Sequence, residues 1–83
     1  MKTRKRPLGN INIVGANIEK LRKERKIKQK DFIAQMQLMG LDMNPTSYSK
    51  LEGQIRIATD KEVLVASKIL NVDINELFRQ NKQ

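Results

Sequence analysis

The 83-residue sequence predicts an all-α domain, a compact bundle of five short helices. Three observations lead there. Apolar residues recur at spacings of three and four, and no segment keeps the period-two alternation of a half-buried strand. Capping residues precede the apolar stripes, and a glycine or an asparagine follows several of them. The length is that of one domain, whose modest core calls for close helix packing or a partner subunit.

Residues 1–11, opening MKTRKRPLGN, hold four basic residues, a proline and a glycine without apolar periodicity. They are expected to form a basic flexible arm, followed by a domain over 12–79 and a short polar tail over 80–83. The first helix is expected over about 12–26, where Val14, Ile18 and Leu21 make one stripe. Glu19 and Lys23 are an i,i+4 pair in the favourable order, while Lys23, Arg25 and Lys26 load the end that the helix dipole makes negative. Arg22 lies beside the stripe, so it pairs with an acid or passes its stem along the core. Ile27 bridges to a second helix running from Lys28 or Gln29 to about Met39, with Phe32, Ile33, Met36 and Met39 inward. Met36, Met39 and Met43 read as adaptable core filler.

The third helix, 45–52, is the most strongly specified. Asn44 is an N-cap, Pro45 suits the first helical position, and Met43 with Tyr48 is placed as a hydrophobic staple. Gly53 follows as the expected left-handed terminator. Tyr48 and Leu51 face the core; Pro45, Thr46, Ser49 and Lys50 face out. Thr59 and Glu62 then form a capping box ahead of Val63, Ser67 and Leu70, and Asn71 ends that helix in a left-handed turn. Asp73 caps a fifth helix with Glu76 in its first turn and Leu77 and Phe78 as its inward pair.

Cysteine and histidine are both absent. That removes a disulfide scaffold, the usual zinc ligands and the commonest general base. The remaining carboxylates stand at helix starts, where capping accounts for them, and no glycine-rich phosphate loop exists, so neither an enzyme nor a cofactor is expected. The longest apolar run is Val63–Ala66 and no apolar segment follows the basic N-terminus, so a cytoplasmic protein without a membrane span is expected. The net charge is +8, unevenly spread. Residues 1–30 carry eleven basic against two acidic groups, a net +9, and residues 31–83 six against seven, a net −1. Positive charge gathered at one end orients a domain toward a polyanion. A short helix exposing hydroxyls and an ammonium suits the groove of duplex DNA.

Five stretches in order resemble the Cro/repressor-type, or Xre-like, helix-turn-helix family. They are Ile18-x-x-Leu21-Arg22, Ile27-x-Gln29-x-x-Phe32-Ile33, Ser47-Tyr48-Ser49-Lys50-Leu51-Glu52, Thr59-Asp60-x-Glu62 and Leu70-Asn71-Val72-x-Ile74-x-Glu76-Leu77. They cover roughly residues 13–78. The resemblance implies a lambda-repressor-like fold and a homodimeric transcriptional regulator, a repressor in the first instance, that reads double-stranded DNA with the helix at 45–52. It implies base contacts from Pro45, Thr46, Ser49 and Lys50. Phosphate contacts fall to Gln29, Lys28, Lys30 and Arg56, and in the arm to Arg4, Lys5 and Arg6. Arg22 and Glu52 are implied as an ion pair joining the first and third helices, and Leu77 and Phe78 are candidates for a dimer face. The sequence departs from the family in three places. The stretch Gln29–Tyr48 is about one helical turn longer. Gly53-Gln54 stands where a residue and then a glycine are usual, and Pro45 has no donor side chain.

Two other readings use the same residues. An antitoxin-like module would bind a protein partner with this fold, although the tail after the last helix is only a few residues long. A general RNA-binding protein would expose aromatics for base stacking, whereas Phe32, Tyr48 and Phe78 all sit at core-like positions.

Overall fold

The computed structural model describes residues 9–80. Within them the caps and stripes sort the chain into α1 (Val14–Glu24), α2 (Gln29–Leu38), α3 (Pro45–Glu52) and α4 (Asp60–Leu70), followed by a 3-10 helix over Ile74–Phe78. No strand occurs among the described residues. The all-α expectation is met with four α-helices, and the expected fifth α-helix is corrected to a single 3-10 segment. Asp73 accepts from Asn75 N–H, two residues on, and Glu76 N–H bonds to Asp73 O. So short a piece closes with the tighter i→i+3 pattern. Among the described residues no helix is long and apolar enough to cross a membrane.

The starts of α3 and α4 follow their capping chemistry. Asn44 accepts from Ser47 N–H at 2.8 Å, and Thr59 and Glu62 exchange both bonds of a capping box. Such caps contribute about 1 kcal/mol each.

All four α-helices end alike. One residue turns left-handed and the next donates its N–H to the carbonyl five residues earlier, the Schellman arrangement. The left-handed residues are Lys26, Gly40, Gln54 and Asn71. Ile27, Leu41, Ile55 and Val72 follow them and bond to the carbonyls of Arg22, Met36, Lys50 and Ser67. This corrects two expectations. The terminator of α3 is Gln54 at φ +63°, not Gly53, which keeps a right-handed φ of −78°. Met39 is 45 % exposed, not inward, because Leu41 folds back over the end of α2 in its place. Residues 39–44 join α2 to α3.

The core gathers Val14, Ile18, Phe32, Met36, Tyr48, Leu51, Ala66, Leu70 and Leu77, all within 2 % exposure or less. Phe32 and Tyr48 stack tilted with ring centroids 5.5 Å apart. α3 packs on α1 and α2, while α4 and the 3-10 helix close the other side. Leu77 is fully buried, but Phe78 is 46 % exposed, so the expected inward pair is one inward and one outward residue. The approach of α1 to α3 is close. A Cβ on Gly15 would lie 2.0 Å from Leu51 O, so only glycine lets the two backbones meet. Asn12 ties the same corner: its Nδ2 donates to Leu51 O and Arg56 O, and its Oδ1 accepts from Gly15 N–H. Gly9 and Ile11 donate to Gly53 O and Gln54 O, so the last part of the expected 1–11 arm is held against the end of α3.

Candidate nucleic-acid interface

The end of α3 is fastened by one carboxylate. Glu52 receives Arg22 Nε at 2.7 Å and Arg22 Nη2 at 3.2 Å, Gln29 Nε2 at 2.9 Å, and the hydroxyl of Tyr48 in a short bond. Arg22 spends its remaining reach on Ile27 O at 2.8 Å. The pair's side chains are 7 % and 4 % exposed, so the charges are buried and nearly every polar atom is matched. Hydrogen bonding to Glu52 raises the Arg22 pKa against the opposing effect of burial. Burial first, and then the neighbouring carboxylate, push the Tyr48 phenol far above its usual value. Arg22 lies in the last turn of α1, Gln29 begins α2 and Glu52 ends α3. One buried cluster therefore sets the relative placement of three helices.

That cluster has a consequence for the surface. The end of α1, the turn after it and the start of α2 carry Lys23, Arg25, Lys26, Lys28 and Lys30, all exposed. Arg22 and Gln29 bracket this turn and both bond to the last residue of α3, so the basic turn is pinned beside that helix end. On α3, Pro45, Thr46, Ser49 and Lys50 are exposed, while Tyr48, Leu51 and Glu52 are buried. Residues 45, 46, 49 and 50 share one face at i, i+1, i+4 and i+5. Together with Ile55 they line an open hollow of about 430 Å³.

Two residues expected to contact phosphates have side chains engaged within the protein. Arg56 is directed inward: Nε donates to Ser47 O at 2.9 Å, and Nη1 and Nη2 donate to Glu62 at 2.9 and 3.0 Å, to Ile57 O and to Met43 Sδ. All five guanidinium N–H groups are thereby engaged, so Arg56 is a clamp between the two ends of α3 and the start of α4. Burial would raise the Glu62 pKa, but Arg56 and the Thr59 N–H outweigh it and hold the carboxyl below its ordinary value. Gln29 likewise donates its amide to Glu52, because a buried carboxylate is a stronger acceptor than water. Lys28 and Lys30 remain exposed. Arg4, Lys5 and Arg6 lie outside the described residues.

Three contributors escape a reading of the sequence. Tyr48 is legible as a core aromatic, but its bond to Glu52 is the local i,i+4 relation that could have disclosed it. Asn12 and Ile55 give no such signal, since their partners lie across the fold or behind a turn. Elsewhere an apolar groove of about 440 Å³ is lined by Ile11, Ile13, Val14, Ile57, Ile74 and Phe78, among others. Among the described residues no cluster of three metal-ligating side chains exists. Comparison with protein-family models, with curated proteins and with solved structures finds no match for this chain.

Proposed function

We propose that the chain is a sequence-specific DNA-binding transcriptional regulator of the Cro/repressor-type helix-turn-helix class, a repressor that acts as a homodimer. In this reading α2, the turn 39–44 and α3 form the helix-turn-helix unit, and α3 enters the major groove. Lys50 donates to guanine O6 and N7, and Thr46 and Ser49 hydrogen-bond neighbouring base edges. Lys28 and Lys30, with Lys23, Arg25 and Lys26, lie along phosphates. One observation carries the reading: the polar, uncovered face of α3 and the basic turn at 23–30 are held side by side by the Glu52 junction.

A homodimer places two such helices in successive major grooves about 34 Å apart. Leu77 is too buried to serve as a dimer contact, but Phe78 opens onto the groove formed with Ile11, Ile13, Ile57 and Ile74. An exposed apolar surface of that kind is a contact surface by default. It also favours the second reading, a module whose principal partner is another protein.

Selection of bound duplexes from a random pool, with light scattering for stoichiometry, separates the two. The regulator reading expects an enriched two-fold site, a dimer on it, and affinity that falls steeply with salt. Lys50→Ala should weaken the selected site by about 1–3 kcal/mol and relax the preference at one position. Absence of enrichment, or a Lys50→Ala protein with unchanged sequence preference, overturns the assignment.

A further inference from the structure

We infer that the hollow on the outer face of α3 receives the C5-methyl group of a thymine, and that Ile55 is a specificity-determining residue of this site; the inference rests on the DNA-reading proposal above. The four residues that follow the left-handed helix terminators are all apolar. Ile27, Leu41 and Val72 pack against the core, as such residues do in a Schellman ending. Ile55 does not join that cluster. Its N–H is bonded to Lys50 O at 3.1 Å, which sets it beside Lys50, and its side chain lines the hollow with Pro45, Thr46, Ser49 and Lys50. The turn at Gln54, with φ +63°, is what brings it there.

The chemistry of the walls selects the occupant. Pro45 offers only carbon atoms, Thr46 a methyl beside its hydroxyl, and Ile55 a branched aliphatic chain. Ser49 and Lys50 add donors at the rim. In the major groove the C5-methyl is the one apolar group a standard base edge presents, and in thymine the O4 acceptor stands next to it. An apolar seat with donors at its edge matches that pair. Lys50 and the basic turn provide the charge complementarity that brings a duplex to the hollow. Cytosine methylated at C5 carries the same methyl, but its N4 amino group is a donor facing the Lys50 ammonium, which can only donate, so thymine is the fitting source.

Removal of one buried methyl is expected to lower affinity about three- to fivefold. The test uses the duplex selected by the full-length chain. Uracil replaces each thymine in turn, and 5-methylcytosine replaces cytosine at the sensitive position in a G·C-substituted duplex. The expected result is a three- to fivefold loss on uracil at one position per half-site. There 5-methylcytosine should gain on cytosine, with thymine tightest. Ile55→Ala and Thr46→Ser, checked for parental helicity, should each reduce the thymine-to-uracil ratio toward one. Thr46→Ser keeps the hydroxyl and serves if Ile55→Ala does not fold. Uracil tolerated at every position, 5-methylcytosine binding better than thymine, or a thymine-to-uracil ratio unmoved by the folded variants each overturns the inference while leaving the DNA reading intact. A pool with no enriched sequence overturns both.

Discussion

Removing Glu52 should cost as much stability as truncating a large, fully buried core side chain. Its carboxylate accepts four hydrogen bonds from three side chains on three helices, with only 4 % of the side chain exposed. Glu52→Ala leaves a buried guanidinium, a buried phenol and an amide without their acceptor. Breaking a buried ion pair from one side costs about 3–5 kcal/mol. For a domain this small, each kcal/mol moves the melting temperature by about 4–8 °C, so a fall of roughly 12 to 40 °C is expected. That is a large share of the roughly 5–15 kcal/mol a domain has. Arg22→Ala should lose a similar amount, since it also strands Ile27 O. Replacing the whole polar cluster (Arg22→Met, Glu52→Leu and Tyr48→Phe together) should recover most of the loss, because no buried charge or hydroxyl is then left unmatched. Urea and thermal unfolding followed by helical circular dichroism measure this directly. An Arg22→Ala protein that melts with the parent would refute the reasoning, as would additive losses in the triple variant.

Three further outcomes are expected. Gly15→Ala should destabilise by about 1–3 kcal/mol in urea titration, since its methyl would meet Leu51 O and backbone cannot yield as a side chain would; unchanged stability would mean that α1 and α3 sit farther apart. Lys26→Gly should stabilise by about 0.5–1 kcal/mol, because the exposed lysine holds φ at +58°, a conformation that costs a residue with a Cβ; a lower midpoint would contradict it. Glu62 binds its proton less tightly folded than unfolded, so its contribution is present above the ordinary value of 4.5 and vanishes as pH falls through the lower folded value. Stability of the parent and of Glu62→Gln should therefore converge in acid and separate above pH 4.5, whereas parallel curves would be inconsistent with the Arg56 clamp.

Much of this was legible residue by residue. The bounds of α3, its Asn44 cap, the Thr59–Glu62 box and the left-handed Asn71 follow from rules that act within a few residues, and so does the outward placement of Thr46, Ser49 and Lys50. The Arg22–Glu52 pair came through family resemblance, not through periodicity. The departures share a cause. For Phe78 and Met39 the local segment points inward and a 3-10 closure and Leu41 folding back redirect them, while for Arg56 the resemblance points to a phosphate and Glu62 with the Ser47 carbonyl engages it instead.

The sequence alone determined that helices would form, where most of them begin, and which stripe of each is apolar, because capping and amphipathic spacing are short-range properties of the chain. Only the tertiary structure decided which charges would be spent inside and which left for a partner. Arg22 and Arg56 are consumed by buried carboxylates, while Lys50 and the lysines of the first turn stay in water. That division depends on acceptors brought from thirty residues away in one case and around the end of a helix in the other, and no local pattern encodes such distances.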